Sequence, residues 1–146
     1  MYETILLPFD GSNEAERGIG HGIGLAEALD ATVHVLYVAD LPGAPRTVYY
    51  TDDDDEVRDR YQEYGERITA EVCEQAREAG LDCVPAIKFG RPSTEIVDYA
   101  EEEGIDAIVM GSAYGGTLRT LLGSTTDRVV RTSTVPVITH RIEMQE

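Results

Sequence analysis

The chain reads as an α/β protein, a single-domain three-layer sandwich with four helices around a five-stranded, mainly parallel sheet. Three observations predict it. Short apolar or β-branched runs alternate along the chain with longer amphipathic segments, and such alternation demands the crossover connections that parallel strands need. The run IDAIVMG is apolar without alternation, as a strand covered on both faces must be. The length, 146 residues, suits one domain that buries about two-thirds of its unfolded surface.

Each element has its own local reason. ETILLP at 3–8 is a short buried strand closed by Pro8. DGSN follows, and Ser12 or Asn13 can cap a helix by accepting backbone N–H groups; that helix runs to about Leu29. ATVHVLYVAD alternates and is β-branched, so it forms a second strand ending near Asp40. Residues 41–55, with two prolines, a glycine and TDDDD, are read as a flexible acidic loop. From about Asp54 to Ala79 a charged helix sets Val57, Tyr61, Tyr64, Ile68, Val72 and Ala76 on one face. LDCVPAIKFG is strand three, and its Pro85 suits an edge position. RPSTEIVDYAEEEG is a helix opened by Pro92 or Ser93 and closed by Gly104. IDAIVMG is strand four, TTDRVVRTS a short helix, and VPVITH the last strand.

Charge narrows the functional classes. Twelve basic against 28 acidic residues leave a net charge of −16, and Lys88 is the single lysine. Such a field repels nucleic acid and anionic lipid, so neither is an expected partner. It is best tolerated where salt screens it, because the Debye length falls to about 3 Å near 1 M; a halophilic source is therefore expected. No apolar run approaches the roughly 18–20 residues that span a bilayer, and no basic-then-apolar leader opens the chain, which predicts a soluble cytoplasmic protein. Cys73 and Cys83 have no metal or redox spacing and read as small core or flanking residues, with pairing neither demanded nor excluded.

In parallel sheets a ligand sits at the carboxyl ends of the strands, where strand order reverses. The candidate site is thus built from PFDGS, YVAD and MGSAYGG, which follow strands 1, 2 and 4. The loop MGSAYGGTLRTLLGST at 110–125 delivers Gly123, Ser124 and Thr125 to a helix N-terminus, a natural anion site. Gly111, Gly115 and Gly116 allow the backbone close to a phosphate, and Arg119 is the only cation in the loop. It is not a Walker loop, since GxxxxGK(S/T) is absent. The same loop can also be a plain glycine-rich connection with Ser124 as N-cap. Asp10 either accepts ribose hydroxyls or forms an Asx-turn that supports DGS.

Other features read as structural. RGIGHGIGLAEAL resembles a nucleotide fingerprint, but Ser12 starts the helix earlier, so Gly18, Gly20, Gly22 and Gly24 fall inside it and permit close packing on the sheet. TDDDD lacks calcium-loop spacing and starts the second helix with favourable charge. His21, His34 and His140 are scattered, no metal cluster is expected, and no catalytic constellation emerges. At most a slow ATPase is conceivable, with Asp10 as its only base and Arg119 as its only phosphoryl-facing cation.

With these pieces in order, ILLPFDGSNEAERG, VHVLYVAD, GRPSTEIVDYAEEEGIDAIVMGS and LLGSTTDRVVRTSTVPVI make the chain resemble the universal stress protein family over nearly its full length. The resemblance implies a flavodoxin-like sandwich of strand order 3-2-1-4-5, a role in stress response and a homodimer through the last strand, here 135–140. It also implies an adenine nucleotide, ATP or AMP, with Mg²⁺ only as the nucleotide's companion. By position Asp10 would meet the ribose, and Val38 would offer backbone bonds to adenine. Pro8 and Met110 would line the base, with Gly111, Gly123, Ser124 and Thr125 at the phosphates. The ATP-binding branch carries G-x2-G-x9-G-(S/T), and this chain departs from it. Tyr114 stands where the second glycine belongs, and the loop is one residue short before Gly123. The alternative reading is a nucleotide-free dimeric interaction protein whose loop is structural.

Overall fold

Ser12 sets the first helix as its residue type demands: its hydroxyl accepts from the Ala15 N–H at 3.1 Å. The same local logic holds along the computed structural model, which describes residues 1–40, 52–111 and 124–140. Its elements in chain order are β1 (Thr4–Pro8), α1 (Asn13–Leu29), β2 (Thr32–Ala39), α2 (Asp52–Glu78), β3 (Cys83–Phe89), α3 (Pro92–Glu102), β4 (Ala107–Gly111), α4 (Ser124–Thr132) and β5 (Val137–His140). Helix α2 begins at Asp52, so the last residues assigned to the acidic loop form its first turn. The remainder of that loop, 41–51, lies outside the described residues.

All strand pairs are parallel, in the order β3-β2-β1-β4-β5. Right-handed crossovers then put α1 and α2 on one face of the sheet and α3 and α4 on the other. Pro85 stands on the edge strand, as its missing N–H requires. Every residue of β4 is buried, in keeping with its unbroken apolar run. The glycines of α1 divide by helical geometry. Gly18 and Gly22, four apart and on one face, meet Gly111 of β4 and the Leu7 side chain, whereas none of the described residues approaches Gly20 or Gly24.

One alternative left open is closed, and one expectation is corrected. Cys73 on α2 and Cys83 at the start of β3 are bonded to each other as a disulfide, with Cα atoms 5.3 Å apart. The chain reverses at Gly80, φ +83°, and that reversal brings the helix end back over the first residue of the next strand. The histidines are not all scattered: His21 on α1 and His140 at the end of β5 stack with ring centroids 4.4 Å apart.

On the opposite face, His34 Nδ1 lies 2.7 Å from the hydroxyl of Tyr99. Burial pulls His34 below its ordinary 6.5, against the Glu103 carboxylate, which raises it. Burial also pushes the Tyr99 phenol up to about 12, with Glu103 adding to the shift. The folded chain therefore holds the His34 proton less tightly than the unfolded chain does. Its contribution is complete above the unfolded value and is lost as pH falls through the lowered folded one. Urea midpoints between about pH 7.5 and 5.5 are expected to fall more steeply for the native sequence than for His34→Gln; parallel slopes would contradict this. The acid excess carries a second expectation. With net charge −16, the melting temperature should climb as KCl is raised toward about 1 M and self-repulsion is screened. A flat or falling curve would remove any role for salt.

Candidate functional site

Strand order reverses between β1 and β4, adjacent parallel strands whose onward connections lead to opposite sides of the sheet. Pro8 ends β1, Val38 and Ala39 end β2, and Met110 and Gly111 end β4. All five are buried, so these positions form a floor, and what stands above them must do the binding. The Phe9 N–H donates to Leu36 O at 2.9 Å and continues the β1–β2 pairing just past Pro8. Asp10 then turns the chain.

One Asp10 oxygen accepts from the Ser12 N–H at 2.9 Å, the Asx-turn that the residue type suggests. That bond uses one of the two carboxylate oxygens. The structural and ligand-binding readings of Asp10 are therefore compatible. Gly11 follows with φ +81°, and a Cβ there would overlap the hydroxyl of Tyr64. That hydroxyl donates to the Asp10 carbonyl at 3.2 Å. The ring of Tyr64 meets Tyr37 edge-on at 5.5 Å. Tyr37 is pushed up to about 12 by burial first, then by the neighbouring Tyr64, Tyr61 and Asp10, so it stays a neutral donor at any ordinary pH.

The second half of the site is a clasp. Buried Thr126, in the first turn of α4, donates its hydroxyl to Gly111 O at 2.9 Å. The two ends of the segment 112–123 are thereby tied together, with Ser124 and Thr125 at the mouth of α4 beside the end of β4. An exposed helix start offers unpaired N–H groups and partial positive charge to an anion. Gly18 packs close behind: a Cβ there would stand 3.1 Å from Gly111 N, close enough that the strand end would have to give by a few tenths of an ångström. His140 pairs in register with Gly111 and brings the stacked histidine pair to the same corner.

A third component comes from α2. A cavity of about 470 Å³ is lined by Val57, Arg60, Tyr61 and Tyr64, within the size range of small-molecule sites. Tyr64 belongs both to this cavity and to the Asp10 turn. Of the residues expected at the site, the structure brings together Pro8, Asp10, Val38, Met110, Gly111, Ser124 and Thr125 at one end of the sheet. Gly115, Gly116, Arg119 and Gly123 lie outside the described residues. Sequence reasoning missed Thr126, whose role needs the three-dimensional return of α4 to β4. It also missed the exposed half of the α2 face, where Arg60 beside two tyrosines was the available signal. Among the described residues there is no group of three or more side chains able to hold a metal ion, and no helix long and apolar enough to cross a membrane.

The model of the universal stress protein family matches residues 1–141. A universal stress protein of Methanocaldococcus jannaschii is 32% identical over 142 residues, covering 94% of this chain and 81% of that protein. The structure of a universal stress protein from Lactobacillus plantarum aligns with TM-score 0.80 at 28% identity, over 96% of this chain and 98% of that one. A universal stress protein from Archaeoglobus fulgidus, solved in complex with dAMP, aligns with TM-score 0.65 at 25% identity, over 94% of this chain and 97% of that one.

Proposed function

The chain belongs to the universal stress protein family, and from that premise we propose that it binds an adenine nucleotide, AMP or ATP, in the cleft above Pro8, Val38 and Met110. The ribose hydroxyls meet Asp10, and the phosphates meet the start of α4 at Gly123, Ser124 and Thr125, with Gly111, Gly115, Gly116 and Arg119 along the loop. Mg²⁺ enters only with the nucleotide. The protein acts in the cytoplasm as a homodimer joined through residues 135–140, where the edge strand β5 carries the exposed Ile138. It responds to stress by occupancy and not by turnover.

The observation that supports this reading most is the Thr126–Gly111 clasp, which holds the start of α4 against the strand end beside Asp10. The dAMP complex of the Archaeoglobus fulgidus relative supports the same ligand class. One observation favours a second reading, a nucleotide-free interaction protein: Tyr114 stands where the ATP-binding branch has glycine, in a loop one residue short.

Titration calorimetry with AMP and with MgATP, in high salt, separates the two. The nucleotide reading predicts saturable heat that Asp10→Ala weakens about ten- to a hundredfold, the loss of a hydrogen bond to a charged group being worth about 1.5–3 kcal/mol. No heat from either ligand would favour the interaction protein. A phosphate-release assay is expected to stay at the buffer rate.

A further inference from the structure

The core face of α2 continues past the sheet that it packs on. At Gly65 and Ile68 the helix is buried, and a side chain at Gly65 would strike Tyr37 of β2 and Ile87 of β3. At Tyr64 it reaches the turn beyond β1, and Arg58 lies over the ring of Phe89, the last residue of β3, at 4.1 Å. Helix α2 runs antiparallel to the strands, so Tyr61 and Val57, one and two turns before Tyr64, stand beyond the carboxyl ends of the strands. They keep the helical spacing of the core face, yet Val57 is 41% exposed and Tyr61 half-buried. The groove that they line with Arg60 and Tyr64 is the cavity of about 470 Å³ described above.

We propose that this stretch of α2 is the base-recognition wall of the cleft, with the adenine ring stacked on Tyr61 and Arg60 donating to its ring nitrogens. The inference rests on the adenine-nucleotide reading and assigns its specificity to residues outside the phosphate loop. Two features select a planar, acceptor-bearing ring as the occupant. The groove is continuous with the Asp10 turn through Tyr64, which serves both. Its walls are two phenol rings and an isopropyl group with a guanidinium among them, and an aromatic face with a flat multiple donor suits a purine better than it suits an aliphatic chain. Of Arg58, Arg60 and Arg67 on this helix, Arg60 lines the groove, where its positive charge can draw an electron-rich ligand.

The test uses the full chain, with AMP, adenosine and inorganic tripolyphosphate as probes. Stacking of a base on an aromatic ring is worth about 1–3 kcal/mol by truncation, so Tyr61→Leu should weaken AMP and adenosine about tenfold, and Tyr61→Phe should restore them. Tripolyphosphate should bind the native chain and Tyr61→Leu alike. Because the sequence has no tryptophan, Tyr61→Trp supplies a lone indole whose emission AMP and adenosine should change and tripolyphosphate should not. AMP affinity within twofold between Tyr61→Leu and the native chain would overturn the wall and leave the nucleotide reading standing. Failure of the native chain to bind AMP or adenosine would overturn both.

Discussion

Gly11→Ala should cost about 2–5 kcal/mol, a large loss for one methyl group. It combines left-handed backbone strain of roughly 1–2 kcal/mol with overpacking of about 1–3 kcal/mol. The backbone at Gly11 has φ +81°, and the new Cβ would overlap the hydroxyl of Tyr64. That hydroxyl must move, which breaks its bond to the Asp10 carbonyl and shifts the helix face beside the cleft. Nucleotide affinity should fall together with stability. Adding Tyr64→Phe, which deletes the overlapping oxygen, should recover part of the stability but none of the backbone strain. Urea unfolding measures both. A cost below about 0.5 kcal/mol, the level of an ordinary surface change, would mean that Gly11 is not clamped under Tyr64.

The second large effect is expected at the disulfide. Cys73 and Cys83 are ten positions apart and close a short loop from α2 to β3, a crosslink worth about 2–3 kcal/mol through the unfolded chain. Both residues are buried, at 1% and 9% exposure, so reduction of the native protein should be slow without denaturant. Nearby, Arg77 donates to Cys83 O at 3.2 Å and helps hold the helix end on the strand. The double variant Cys73→Ala, Cys83→Ala should melt below the oxidised native chain and ignore added reductant, whereas reduction should bring the native chain down toward it. Two free thiols in the unreduced folded protein, or a native stability indifferent to reductant, would contradict the bond.

The architecture was legible because alternation between apolar runs and amphipathic segments leaves few topologies. Even finer features followed from residue chemistry: Ser12 as cap, Pro85 at an edge, the wholly buried run of β4. The site's floor was legible for the same reason, since parallel strands place Pro8, Val38 and Gly111 at one end of the sheet. What could not be read is whatever depends on where one element meets another. Helical periodicity put Tyr61 and Tyr64 on the same face as Ile68, but it cannot tell where the sheet beneath that face stops. The spacing of Cys73 and Cys83 matches no motif, and only the reversal at Gly80 brings helix end and strand start together. His21 and His140 meet because α1 packs on β4, whose neighbour is β5, a relation absent from any local pattern. Thr126 likewise acquires its role only once α4 returns to Gly111.

The central claim is that an adenine nucleotide occupies the cleft between Asp10 and the start of α4. A crystal of the full chain grown with AMP tests it most directly. The expected result is ribose hydroxyls within hydrogen-bond reach of Asp10, the phosphate at Ser124 and Thr125, and the adenine ring against Tyr61. A cleft without nucleotide at saturating AMP, or nucleotide bound elsewhere on the molecule, would contradict it.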